Sequence, residues 1–148
     1  KRVQKTVKET GEWFIPHVVE PAFGIDRILW HVLDHAFEET EKGGEPYRML
    51  KLADSVAPID VAILPLFEKD GMDELALELH QLCCSTSGLV SLYDGSGSIG
   101  KRYARADEIG VPICITVDHQ SVEDRTVTIR KRDDGSQTRI SMDQLPFL

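Results

Sequence analysis

Two apolar runs narrow the architectures open to this chain. Val56–Leu66 (VAPIDVAILPL) and Val111–Val117 (VPICITV) are near-continuous in aliphatic residues. That is the pattern of strands covered on both faces, not of strands with one wet face. Between them, Met72–Thr86 places Leu75, Leu79, Leu82 and Cys83 on one helical face. Leu89–Tyr93 predicts a second strand, a Gly/Ser loop follows, and Lys101–Ile109 predicts a short helix. Strand–helix–strand–helix–strand implies a parallel unit with right-handed crossovers. Thr126–Arg132 and Gln137–Met142 then flank Asp133-Asp134-Gly135-Ser136, and Asp-Gly between two strands signals a hairpin. The closing hairpin forces at least one antiparallel strand. The expected class is α/β: a three-layer α/β/α domain over residues 51–148 with a mixed, roughly five-stranded sheet, Val111–Val117 at its centre.

Residues 1–50 read differently. Trp13–Val19 is apolar and strand-like, and Ile25, Ile28, Leu29, Val32, Leu33, Ala36 and Phe37 recur at helical spacing as one stripe to be buried. Glu38–Pro46 reads as a charged Gly/Pro loop. A strand and one helix cannot cover that stripe, so these 50 residues are expected to be the remnant of a larger domain. The chain begins with Lys1, not Met, in keeping with a piece of a longer protein.

A 41% hydrophobic content excludes global disorder. No apolar run reaches the ~20 residues a membrane helix needs, and no signal-peptide pattern follows Lys1–Lys5. Three cysteines, Cys83 and Cys84 adjacent, make no disulfide framework and point to a reducing cytoplasm. The net charge of -8 argues against a generic nucleic-acid coat. Residues 100–139, however, hold eight Lys/Arg against seven Asp/Glu, and the rest nine against eighteen. A faintly basic region on an acidic body suits docking to one defined RNA.

The segment Pro16-His17-Val18-Val19-Glu20-Pro21-Ala22-Phe23-Gly24-Ile25-Asp26-Arg27 has its own logic. Gly24 stands where strand-like sequence turns helical, and Arg27 falls in the first helical turn, where the dipole favours an anion over a cation. A guanidinium there makes sense if a nucleotide phosphate also comes there. The segment resembles motif 3 of the class II aminoacyl-tRNA synthetases, nearest to the glycyl-tRNA synthetases of archaeal and eukaryotic kind. The resemblance implies that Glu20 and Ala22 line a glycine pocket, Ala22 standing where serine is usual. It further implies that Gly24, Ile25, Asp26 and Arg27 hold ATP, with Arg27 the catalytic residue.

Asp94-Gly95-Ser96-Gly97-Ser98-Ile99-Gly100 contains a literal G-x-G-x-x-G, and Asp118 lies roughly 20 residues on. A dinucleotide fingerprint belongs to the first strand of its fold, whereas here a strand and a helix precede it. Lys101, Arg102, Tyr103 and Arg105 follow at once, and cations at a helix start are costly unless they face phosphate on the outside of the loop. Asp94 to Pro112 is similar to the signature of the anticodon-binding domain of glycyl-tRNA synthetases and, more loosely, of the histidyl, threonyl and prolyl ones. The resemblance implies that loops at the sheet's mixed end hold anticodon bases. Lys101, Arg102 and Arg105 are candidates for backbone charge, and Arg130, Lys131 and Arg132 for charge and stacking. Asp94, Ser98 and Asp118 are candidates for reading base edges. Asp107 and Glu108 are expected to pair with arginines at helical spacing, and Tyr93 and Tyr103 to pack.

His31-x-x-x-His35 has zinc-compatible spacing but no third ligand, so no metal site is expected. Cys83-Cys84 is expected to be buried and inert. The resemblance implies a glycine-tRNA ligase joining glycine to ATP and then to tRNA(Gly). It implies ATP and Mg²⁺ in the full enzyme, none in this part alone, and a homodimer. The rival is a non-catalytic relative, like the accessory subunit of mitochondrial DNA polymerase, which binds a polymerase and nucleic acid. No membrane partner is expected.

Overall fold

The computed structural model describes residues 5–6, 13–86 and 88–145. It divides into two compact units, Lys1–Trp30 and His31–Leu148. In the first, strands β1 (Lys5–Thr6) and β2 (Trp13–Phe14) pair antiparallel, with Lys5 opposite Phe14. Residues 15–24 follow without regular structure, so the expected strand shrinks to its first two residues. Pro16 and Pro21 explain this, since neither can donate to a ladder. Helix α1 spans Ile25–Ala36, and Asp26 in its first turn suits the dipole. Its apolar stripe is uncovered: Ile25 is 81% exposed, and Ile28, Leu29 and Val32 are exposed too. Only Ala36 of the stripe is buried, with Leu33 half-buried. The spacing was read rightly, and its burial is not met among the described residues.

In the second unit the end of α1 runs into a hairpin, β3 (Phe37–Lys42) and β4 (Glu45–Leu50). This corrects the expected charged loop. Lys42 lies opposite Glu45, leaving a two-residue turn of Gly43 (φ +65°) and Gly44 (φ +86°). Two left-handed residues are what a type I′ turn requires, and only glycine takes them without cost. The charges sit in the strands because they meet across them: Arg48 Nε donates to Glu39 Oε2 at 3.0 Å, and Lys51 pairs with Glu38 at 2.8 Å.

The main sheet uses β5 (Val61–Pro65), β6 (Ser91–Tyr93), β7 (Ile113–Val117), β8 (Thr126–Lys131) and β9 (Gln137–Ser141) in the order β6-β5-β7-β8-β9. The first three run parallel, while β8 and β9 return antiparallel. Strand β7 is central, as its continuous apolar sequence requires. Strand β5 is shorter than its apolar run: a 3-10 turn at Asp54–Val56 takes Val56, and residues 57–60, with Pro58 among them, lead into the strand without regular structure. Helix α2 (Met72–Thr86) presses Met72, Leu75, Ala76, Leu79 and Cys83 against Val61, Ile63, Ile115, Val117 and Val127. Leu82 and Cys84, expected inside, are exposed. Helix α3 (Ile99–Glu108) covers the opposite face, over Ala62, Leu64 and Cys114. Each fully buried aliphatic side chain contributes about 1.5–3 kcal/mol. A short α4 (His119–Asp124) leads from β7 to β8.

Candidate nucleic-acid interface

The order β6-β5-β7 makes a topological switch between β5 and β7. The chain leaves β5 through α2 on one face and enters β7 from α3 on the other. Crevices open beyond the carboxyl ends of strands at such points. Three segments meet there: 66–71 after β5, 94–98 after β6, and Asp118 with α4 after β7.

The 94–98 loop is shaped from both sides. Arg102, 3% exposed, reaches back from α3: Nη2 donates to the Gly97 carbonyl at 2.7 Å, and Nη1 donates to the Pro65 carbonyl at the end of β5. Arg105 clasps the loop from outside, donating to Asp94 Oδ2 from Nε at 2.9 Å and to the Ser96 carbonyl at 2.6 Å. Burial alone would raise the Asp94 carboxyl; the Ser96 amide and Arg105 outweigh it and hold it below the ordinary carboxylate range. Gly97 takes a left-handed φ of +78°. A Cβ at Gly95 would displace the end of the exposed Glu68 side chain and crowd the Tyr93 hydroxyl. The glycines therefore serve a tight turn braced by protein groups. Ser98 begins α3 without a side-chain cap bond, its hydroxyl exposed. Lys101 on the same first turn is exposed.

Asp118 is the other fixed acid. It accepts from the Ser121 amide at 3.0 Å in a capping box, and from Arg139 on β9, Nη1 to Oδ2 at 2.8 Å and Nη2 to Oδ1 at 2.9 Å. Arg139 foremost holds its carboxyl well below the usual range. With both oxygens engaged, Asp118 shapes the rim. Sequence reasoning missed Arg139, whose partner lies 21 residues earlier.

The structure sets Arg130 and Arg132 apart from the expected contact role, along with Arg102. Arg130 is 5% exposed and grips Asp107, itself fully buried, with Nη1 and Nη2 each at 2.8 Å. That pairing pushes the Arg130 guanidinium upward, and the Tyr103 ring lies beneath it at 4.8 Å. Tyr47 from the hairpin donates its hydroxyl to the same carboxylate, and burial first, then Asp107, pushes its phenol up to about 12. Arg132 donates to the carbonyls of Gly110 at 2.9 Å and Leu52 at 2.7 Å. Asp107 does pair with an arginine, but across to β8 rather than along its own helix. Tyr103 and Tyr93 pack in the core clusters as expected. Lys131, at the far end of β8, is exposed beside Asp133 and Asp134 in a shallow hollow with Asp54. It lies away from the 94–98 loop, since Lys131 pairs with Ile113, at the start of β7.

Two rings that sequence reasoning did not single out face the switch point, Phe67 and His119, with centroids 6.1 Å apart. In the first unit, Glu20, Ala22 and Gly24 lie in the irregular segment and Ile25, Asp26 and Arg27 in the first turn of α1, all exposed. Gly24 has no left-handed φ, and a Cβ there would meet only the Arg27 side chain at an ordinary 3.8 Å. His31 and His35 are exposed, and no group of three or more metal-ligating side chains gathers among the described residues.

A mixed sheet of this order, helices on both faces and loops converging beyond the parallel strands define a small α/β binding module. Its family follows from comparison: the model described as "Anticodon binding domain" matches residues 60–147, and the chain belongs to that family. It is 50% identical to a glycine--tRNA ligase of Methanocaldococcus jannaschii over 98% of this chain and 24% of that protein. It is 49% identical to one of Archaeoglobus fulgidus over 90% of this chain and 23% of that protein. The chain thus spans about a quarter of the length of these relatives. Among solved structures, prolyl-tRNA synthetase from Cryptosporidium parvum superposes with a TM-score of 0.59 at 24% identity, over 65% of this chain and 21% of that one. The RNA binding domain of threonyl-tRNA synthetase from the same organism gives 0.58 at 23% identity, over 64% and 23%. These two share the fold. Among the described residues no helix is long and apolar enough to cross a membrane.

Proposed function

We propose that this chain is part of a glycine-tRNA ligase and that its second unit holds the anticodon loop of tRNA(Gly). The observation that carries the reading is the braced 94–98 loop at the sheet's switch point, inside a family-matched anticodon-binding domain. Residues 1–50 are assigned to the end of a class II catalytic domain and 51–148 to the anticodon-binding domain. Lys101, Ser98 and the outer edge of Arg105 meet the RNA directly. Asp94, Arg102 and Asp118 shape the surface on which it sits, Arg130 and Arg132 hold the hairpin, α3 and β8 together away from it, and Lys131 adds long-range charge. A location in the cytoplasm, where tRNA is charged, fits this reading, and so does a homodimeric full enzyme.

In the same reading, Glu20 accepts from the ammonium of glycine, with Ala22 beside it, and Gly24 to Arg27 meet ATP. The residues present fit a nucleotide. Neither backbone strain nor crowding calls for glycine at position 24, so a closely approaching ligand is a sufficient reason for it. The Arg27 guanidinium is exposed at a helix start, able to fork onto phosphate oxygens. Mg²⁺ would neutralise charge on the phosphates; the described residues gather no site for it, so its protein ligands are assigned outside them. The polymerase-accessory reading is not favoured, since relatives matching at least nine-tenths of the chain are glycine--tRNA ligases.

Two measurements test the proposal. Ribose and base protection on a tRNA(Gly) transcript should fall in the anticodon loop when this chain is added, and protection confined to the acceptor stem would contradict it. In a longer protein carrying this segment, Arg27→Ala should abolish glycine-dependent ATP–pyrophosphate exchange. This chain alone should show none.

A further inference from the structure

The β3–β4 hairpin is held at two heights. At its base, the Lys51 amide donates to the Ala36 carbonyl at the end of α1 at 2.7 Å, and Phe37 begins β3 with no residue between. Beside it, Arg132 Nη2 donates to the Leu52 carbonyl at 2.7 Å. Gly110, just past α3 with φ +83°, lets this base approach. A Cβ there would stand 2.8 Å from Leu52 Cδ1 and 3.3 Å from the Leu50 carbonyl. Higher up, Tyr47 donates its hydroxyl to Asp107 Oδ2 on α3. Three residues of extended chain, about 10 Å, separate Tyr47 from Leu50. A stiff element fixed at one point pivots; fixed at two, it has a direction.

The upper half of the hairpin is otherwise thinly held. All six residues of β3 are exposed, and in β4 only Tyr47, Met49 and Leu50 are half-buried. An open hollow of about 130 Å³ lies between Pro46, Tyr47 and Arg48 of β4 and Ala104 and Glu108 of α3. A two-stranded hairpin packed so sparsely is marginal by itself. Asp107, by contrast, is a firm anchor. It is fully buried, and Arg130 holds each of its oxygens at 2.8 Å. It therefore stays paired when the Tyr47 hydroxyl is taken away. Loss of that hydroxyl unfastens the hairpin without stranding a buried charge.

We infer that Tyr47 is a positioning residue: through Asp107 it latches the hairpin onto α3, and so sets the direction of the last turns of α1, which lie in the same unit. This rests on the ligase reading. There the chain ahead of the hairpin meets glycine and ATP, the chain after it holds the anticodon loop, and one tRNA must reach both. Once the anticodon is docked, the rate of glycine transfer depends on how narrowly the acceptor end is directed. Activation of glycine needs no tRNA, and the anticodon contact is local to the module. Neither depends on that direction.

The test uses a full-length protein carrying this segment, with Tyr47→Phe as the variant. Amides of residues 37–50 should exchange faster by about tenfold or more, while those of β5, β7 and β8 are unchanged. Single-turnover transfer of glycine to tRNA(Gly) should fall by about fivefold or more. Glycine-dependent ATP–pyrophosphate exchange and affinity for the isolated anticodon stem-loop should both match the parent. Unchanged transfer, or unchanged exchange of the hairpin amides, overturns the latch and leaves the ligase reading standing. A proportional fall in transfer, pyrophosphate exchange and stem-loop affinity marks a general loss of structure and overturns it too. If the parent itself transfers no glycine to tRNA(Gly), the ligase reading falls and the positioning role falls with it.

Discussion

The module has two groups of arginines, and they behave oppositely. On the α3–β8 side, Arg130 and Arg132 are turned inward: two carboxylates (Asp107 and Asp133), two carbonyls and an aromatic ring take up their donors, and almost nothing is left for solvent. Around the 94–98 loop, Arg105 and Lys101 remain at the surface, while only Arg102 is buried, and it braces the loop from below. One group joins the hairpin, α3 and β8; the other shapes and charges a rim. Residue type does not separate the two roles. Burial does, because a buried guanidinium must have its donors met by protein.

Breaking the inward group should have the largest effect. Arg130→Met strands the fully buried Asp107 carboxylate and should cost about 3–5 kcal/mol in denaturant unfolding. Arg102→Met should cost less, about 1–3 kcal/mol, because it strands no buried charge: the Gly97 carbonyl lies on an exposed loop, and the Pro65 carbonyl is the one buried acceptor that loses this donor. It should also loosen the 94–98 loop, visible as faster amide exchange there.

Acid sharpens the contrast at the rim. Asp118 has a folded-state pKa below that of the unfolded chain. Its contribution to stability is complete above the ordinary carboxylate value near ~4 and is lost as pH falls below it. Asp118→Asn should cost about 1 kcal/mol at neutral pH and flatten the loss between pH ~4 and ~2, read from melting temperatures. The smallest stability effect belongs to the exposed cations. Lys101→Ala should move unfolding by no more than about 0.5 kcal/mol, yet reduce the salt slope of RNA binding by about one contact.

How much of this was legible depended on whether the cause was local. Apolar continuity in Val111–Val117 revealed the central strand, and Asp134-Gly135 marked the β8–β9 hairpin, because burial on two faces and a turn both leave traces in adjacent residues. The first hairpin was missed although Gly43-Gly44 stood in the turn. Its strands carry Glu38, Glu39, Glu41 and Lys42, and the partners of Glu38 and Glu39, Lys51 and Arg48, are found only once the strands pair. The rim residues Asp94, Ser98, Lys101 and Asp118 were readable as a loop beyond parallel strands. The inward turn of Arg130 and Arg132 was not, since Asp107 lies 23 residues away and the Leu52 carbonyl 80. Phe67 left a faint trace, a large aromatic just past a strand end, beside a charged turn.

The most direct test of the central claim, that this surface reads an anticodon, is the affinity of the chain for a tRNA(Gly) anticodon stem-loop before and after its anticodon cytosines are replaced by uridines. The account predicts weaker binding, by about tenfold or more per base, with the salt dependence preserved. Equal affinity for the two RNAs at every salt concentration would contradict it.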